Sequence, residues 1–185
     1  MLDTVLCVHR FTPTPFMSDQ ITIRPLRAED PPRIAAAFAA IGWDKPVVQY
    51  ERYLAEQAAG RRQVFVGELD HHFAGYTTLN WHPNYPPFQE AGLPEIQDLN
   101  VLPAFRKRGL GKALVLAAEQ AAAERCTTIG IGVGLYPDYG SAHRLYVRLG
   151  YLPDGRGIAY EDRIVAPGEQ VRVDDGLVLH FTKAL

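Results

Sequence analysis

Apolar positions along this chain repeat at two spacings, and the switches between them mark out the secondary structure. Residues 20–24, "QITIR", set Ile21 and Ile23 in an alternating pattern, which predicts a strand. "AEDPPRIAAAFAAIGW" reads as a helix with Asp30 as N-cap and Pro31 at the first helical position, where the missing amide proton has no partner to lose. "KPVVQYERYLAEQAAG" is a second helix, opened near Pro46 and closed by Gly60. "QVFVGELD" and "HFAGYTTLNW" meet across Asp70, His71 and His72 as an antiparallel hairpin. The segment "HPNYPPFQEAGLP" is rich in proline and aromatic side chains and reads as a helix-free loop.

"EIQDLNVLP" is a strand stopped by Pro103, and a long helix after it ends near Arg125. "TTIGIGVGL" is a strand whose interior glycines predict a bulge or a close backbone approach. "SAHRLYVRLG" is a helix closed by Gly150, and "YLPDGRGIAY" pairs with "VRVDDGLVLHFTKAL". The order β-α-α-β-β-β-α-β-α-β-β gives an α/β (α+β) class, with no repeat, linker or charge block to divide it. Residues 17–185 are therefore expected to form a single domain. Residues 1–16, "MLDTVLCVHRFTPTPF", are expected to be an extension outside the fold. Their apolar part is too short for a signal peptide, their positive charge follows it, and Met17 offers a second start.

Composition narrows the function. The 185 residues carry 19 Lys and Arg against 21 Asp and Glu, a formal charge of −2, which argues against a general nucleic-acid binder. No apolar run approaches the ~20 residues of a membrane span. Cys7 and Cys126 have no metal-ligand or CxxC spacing, so they read as free thiols in the cytoplasm, with no metal expected.

Against that background "AFRKRGLGKALVLAAEQAAAE", residues 104–124, stands out. Three cations and two glycines precede an amphipathic helix. Helix N-termini expose unpaired amides and carry partial positive charge, so clustered cations there are unfavourable unless an anion binds. Gly109 and Gly111 allow close backbone approach, and Arg106, Lys107 and Arg108 add charge; phosphate is the natural ligand. The spacing R-x-x-G-x-G is neither a P-loop nor a dinucleotide fingerprint.

Strand, "VLPAFRKRGLGKAL" and helix resemble the acetyl-CoA pyrophosphate motif of the GNAT superfamily of N-acetyltransferases. "SAHRLYVRLGY" is similar to the family's later A-x-x-L-Y-x-x-x-G-[FY] motif, and the resemblance covers about residues 20–183. Many members carry Asn where this chain has Tyr139; Asp138 or Ser141 remains to cap that helix. The resemblance implies a mixed central sheet of six to seven strands flanked by about four helices. It implies acetyl-CoA held by Leu99, Asn100 and Val101 on the strand and by Arg106, Lys107, Arg108, Gly109, Leu110, Gly111 and Lys112 at the turn. The Val101 amide is the one best placed to help at the thioester, and Tyr146 is the implied acid toward the departing thiolate.

For the base, Glu95 and Asp98 are both candidates, and His82 is a third. Period-two alternation separates the two carboxylates unless a bulge intervenes. Trp43, Tyr50 and Tyr53, or Trp81, Tyr85 and Phe88, are candidate walls of an acceptor pocket. The expected activity is acetyl transfer to a small-molecule amine in a ternary complex, with a homodimer left open. A protein N-acetyltransferase and a silent acyl-CoA-binding module are the alternatives.

Overall fold

The first strand, β1 (Ile21–Pro25), opens the fold of residues 20–185, the part of the chain that the computed structural model describes. The expectation for residues 1–16 lies outside the described residues. Helices α1 (Asp30–Ala39) and α2 (Val47–Ala58) follow, then the hairpin of β2 (Arg62–Leu69) and β3 (His72–Asn80). A short helix, α3 (Pro86–Ala91), leads into β4 (Glu95–Val101), α4 (Leu110–Ala123) and β5 (Thr128–Gly134). Helix α5 (Gly140–Arg148) precedes β6 (Leu152–Tyr160), β7 (Arg163–Ile164) and β8 (Leu177–Ala184).

The strands form one mixed sheet in the order β1-β2-β3-β4-β5-β8-β6-β7, with β4 and β5 parallel. Alternation sorts its side chains to two covered faces. Val64 and Val66 of β2 pack with Tyr76 under Ile34 and Phe38 of α1 and Tyr50 of α2. Phe65, between those valines, packs on the opposite face with Ala74, Ile96 and Ile131 under Leu114 and Val115 of α4 and Tyr146 of α5. On the first face Phe38 meets the Phe73 and Tyr76 rings edge-on, at centroid distances of 5.9 and 5.8 Å. Such edge-to-face pairs fix geometry as well as bury area.

Among the described residues there are eight strands and five α-helices, more than the six to seven and about four expected. The extra strand is the two-residue β7. The extra helix, α3, overturns the reading of "HPNYPPFQEAGLP" as helix-free. Pro86 and Pro87 occupy its first turn, where proline's fixed φ suits a helix, and Gly92 closes it at φ 65°. Asp30 is the first helical residue of α1 and not its cap; its carboxylate accepts the Arg27 amide at 2.8 Å and the Arg24 guanidinium at 2.7 Å. Neither Asp138 nor Ser141 caps α5, whose N-cap is Tyr139 with no side-chain bond.

The β5 glycines have a different purpose from the one expected. Register with β8 is unbroken from Thr128 to Gly134, so there is no bulge. Side chains, and not backbone, press in: a Cβ at Gly130 would lie 2.2 Å from Phe88, and one at Gly134 2.4 Å from Tyr139.

Candidate active site

A gap in the sheet sets the site. β4 and β5 pair only at Glu95↔Gly130 and Ile96↔Ile131, and beyond those positions they part. Within the same stretch β4 carries a bulge, since Tyr76↔Asn100 and Thr78↔Gln97 set three steps of β4 against two of β3. Asp98 occupies the bulge at φ 54°. The extra residue resets the alternation. Glu95, Gln97 and Asp98 therefore share the face toward α2, whereas Ile96, Leu99 and Val101 pack toward α4. The condition attached to the two carboxylates in the sequence is met, and both stand on one face.

The bulge also fixes where the Val101 amide points. Leu102 donates its N–H to Ala74 O of β3 at 2.9 Å. Adjacent amides of an extended strand alternate in direction, so the Val101 N–H turns away from β3 and toward the gap left by β5. The Val101 carbonyl accepts a bond from Arg106 Nε at 3.1 Å.

The N-terminus of α4 faces the same end of the gap. Gly109 is its N-cap at φ 88°, with no side-chain cap bond, and Gly111 lies in the first turn. A Cβ at Gly111 would lie 3.6 Å from Leu145 of α5 and 3.8 Å from Val101, so α4, α5 and β4 converge at this point. Lys107, also at positive φ, and Lys112 are exposed. Arg106 additionally lies over Trp43, 5.6 Å from the ring centre, and Arg108 reaches Asp70 at 3.5 Å. The Leu110 and Leu99 side chains belong to the core, so any role they have at a ligand falls to their backbone. Asn100 uses its side chain on Asp98 O at 3.0 Å.

The face toward α2 carries a connected polar group. Glu95 is 5 % exposed; Gln97 Nε2 donates to its Oε2 at 2.7 Å, and His180 Nε2 lies 3.8 Å from Oε1. Burial pushes the Glu95 carboxyl up to about 7, with Asp162 adding to the rise and Gln97 and Arg62 opposing it. His180 is buried on β8, flat against Tyr85 at a centroid distance of 3.6 Å, and its Nδ1 has no hydrogen-bond partner among the described residues. Burial pushes it down to about 4, so it is neutral at physiological pH. Asp98 sits apart from Glu95, accepting bonds from the Tyr53 hydroxyl and from Gln49 Nε2 at 3.2 Å, with Lys45 at 3.5 Å. Its oxygens are committed to protein donors. Among the described residues Glu95 keeps one carboxylate oxygen, Oε1, without a hydrogen bond.

Tyr146 is buried in the α4–α5 core, tilted against Tyr151 at 6.0 Å. Burial alone pushes its phenol upward, and no protein group among the described residues bonds its hydroxyl. The aromatic walls read from the sequence are mostly core. Tyr85 and Phe88 are buried with Ala159, the Tyr85 hydroxyl donating to Asp154 at 2.8 Å, because α3 folds the segment onto the sheet. Tyr50 is buried, and Tyr53 meets the site through its hydroxyl on Asp98 and its ring beside Arg62. His82 is exposed after β3 and joins none of this. Gln97, Arg62 and His180 also stand around Glu95, and the sequence singles out none of them; the alternation of Leu177, Leu179, Phe181 with Val178, His180, Thr182 is the one local signal, for His180.

A surface hollow of about 520 Å³, lined in part by Glu90, Arg156, Asp162 and Arg163, opens between α3 and the β6–β7 turn. A second, of about 400 Å³, lies among the Arg24, Asp30 and Glu68 ion pairs, far from the gap in sequence and sheet order. Among the described residues no group of three or more His, Cys, Asp or Glu could hold a metal, and no helix is long and apolar enough to cross a membrane.

A sequence profile of the acetyltransferase (GNAT) family matches residues 25–151. No curated protein matches the chain. Among solved structures, ribosomal-protein-alanine N-acetyltransferase from Brucella melitensis is 17 % identical, with 89 % of this chain and 99 % of that one covered at a TM-score of 0.66. An N-acetyltransferase from Staphylococcus aureus is 15 % identical over 89 % and 98 %, also at 0.66. The yncA protein of Salmonella typhimurium, solved with its cofactor acetyl-CoA, is 22 % identical over 89 % and 93 %, at 0.61. At these identities the structural likeness speaks for the fold.

Proposed function

The chain belongs to the acetyltransferase (GNAT) family, and on that premise we propose that it acetylates a primary amine of a small molecule, using acetyl-CoA in a ternary complex. The observation that carries this reading is the Val101 amide, turned into the β4–β5 gap beside a glycine-led, uncapped helix N-terminus. These features fit acetyl-CoA. The amides of Leu110, Gly111 and Lys112 lack intrahelical acceptors and suit the pyrophosphate, with Arg106, Lys107, Arg108 and Lys112 adding charge. Leu99 and Asn100 flank Val101 on the strand that lines the gap. Acetyl-CoA supplies an activated acyl group on a thiol leaving group.

The Val101 N–H donates to the carbonyl oxygen as negative charge develops there, and the bulge holds it in place beforehand. Glu95 accepts the proton that the amine releases. A buried carboxyl with its midpoint at about 7 is matched to proton exchange at neutral pH. Tyr146 donates its phenolic proton to the departing thiolate; the upward push of burial keeps it protonated until then. We assign Asp98 to positioning through Tyr53, Gln49 and Lys45, since its oxygens are engaged.

A small acceptor is favoured by the hollow of about 520 Å³, a size typical of small-molecule sites. Its Asp162 lies within electrostatic reach of Glu95. Cys126 as a free thiol accords with a cytoplasmic location.

The test is acetyl-CoA titration by calorimetry, with thiol release followed over an amine panel, in the wild type and in Gly109→Val. The wild type should bind and turn over at least one amine. The variant should lose binding, because a β-branched residue at φ 88° forces the first turn of α4 out of position. Equal binding in both proteins, or binding with no thiol release for any amine, overturns the proposal.

A further inference from the structure

We propose that Gln97 is a positioning residue that orients the Glu95 carboxylate and tunes its basicity, with Arg62 fixing which way the Gln97 amide faces. The proposal rests on the reading of Glu95 as the base. Gln97 follows Glu95 by two residues on β4, ahead of the bulge, so the two side chains lie on one face of the sheet. Its Nε2 donates to Glu95 Oε2 at 2.7 Å, the one hydrogen bond that the Glu95 carboxylate receives among the described residues.

The far end of the amide is held just as firmly. Gln97 Oε1 accepts from Arg62 Nη1 at 3.1 Å and from Asn80 Nδ2 at 3.3 Å. A guanidinium only donates, so the amide oxygen must face Arg62 and the NH₂ must face Glu95. Arg62 has little freedom of its own. Its Nε binds Glu56 Oε2 at 2.5 Å, its Nη1 binds Thr78 Oγ1 at 2.6 Å, and its guanidinium lies 4.8 Å from the Tyr53 ring centre. The chain Glu56–Arg62–Gln97–Glu95 thus delivers the donor to one carboxylate oxygen and leaves the other without a hydrogen bond.

The other charged or titratable groups around Glu95 work against its ionisation or are neutral. Asp162 approaches from the β6–β7 turn, His180 from β8 and Tyr85 from ahead of α3, with Asp154 of β6 beyond the last two. Burial opposes the carboxylate, whereas Gln97 and Arg62 favour it. Without Gln97 the balance shifts toward the protonated form, which is useless as a base at neutral pH.

Gln97→Leu removes the donor at similar size, and Gln97→Met repeats the test with an unbranched stem should the leucine variant not fold. Glu95 is followed directly by NMR titration of 13C-carboxyl-labelled glutamate, in parallel with the pH profile of kcat/KM. Loss of a hydrogen bond to a charged group should raise the Glu95 midpoint by about one pH unit. The acid limb of kcat/KM should move with it, giving roughly a tenfold loss at pH 6 that recovers by pH 9. A merely structural role predicts a loss independent of pH. An unmoved Glu95 midpoint in a folded variant overturns the proposal. A midpoint that moves while the acid limb stays keeps Gln97 as the tuner of Glu95 and overturns Glu95 as the base.

Discussion

Tyr146→Phe separates chemistry from packing at the residue where the two are hardest to tell apart. The ring lies in the core between α4 and α5, and phenylalanine preserves all of that contact. The hydroxyl makes no hydrogen bond among the described residues, and burial is the sole cause of its raised pKa. No protein hydrogen bond is lost with it, so its removal should change the stability of the fold little. For a chain of this size that corresponds to a melting temperature within a degree or two of the wild type, at about 2–4 °C per kcal/mol. If the hydroxyl protonates the departing thiolate, its loss costs roughly 10²–10⁴-fold in kcat, as for other positioned acids. Acetyl-CoA affinity should stay within about twofold, because an interaction made in the transition state contributes little to ground-state binding. Steady-state kinetics, calorimetry and thermal melts on the one variant provide all three numbers. An unchanged kcat would sink the assignment and leave Tyr146 as a packing residue. A fall in activity matched by a fall in melting temperature would show that the hydroxyl is a structural partner, against the geometry described.

Two further outcomes follow from the buried groups on the other face. Phe88→Ala should destabilise the protein by about 3–5 kcal/mol, since the ring fills the space over Gly130, and should leave acetyl-CoA affinity unchanged. A normal melting temperature with a raised acceptor KM would instead return Phe88 to the substrate pocket. Glu95→Gln should stabilise the fold in a pH-dependent way. A carboxyl raised from 4.5 to about 7 binds its proton more tightly in the folded state, so wild-type stability falls as pH rises through that window. The variant's advantage at pH 8 over that at pH 4 should be about 3 kcal/mol by denaturant titration. A difference that does not vary with pH would mean that Glu95 is ordinary.

Local chemistry alone determined the order of most elements and the glycine-led turn before α4. The cues for α2, the β2–β3 hairpin and the α4 N-terminus are all within a few residues: Pro46 and Gly60, Asp70 and His71, Gly109 and Gly111. Positive φ at Gly60 and Gly109 and proline's missing donor act on their immediate neighbours, so a one-dimensional reading captures them. Proline is ambiguous at residues 82–94. Pro86 and Pro87 are compatible with a loop or with a first helical turn, and the burial of Phe88 over Gly130 goes with the second. Which carboxylate is free was likewise undecidable from spacing. A single bulge at Asp98 puts Glu95 and Asp98 on one face, and the tertiary contacts then commit Asp98 to Tyr53, Gln49 and Lys45. Glu95 owes its raised proton affinity to burial between strands far apart in sequence, with Gln97 on its own strand, Arg62 from β2 and His180 from β8 around it. Desolvation depends on everything packed around a group, and that is a property of the folded chain alone.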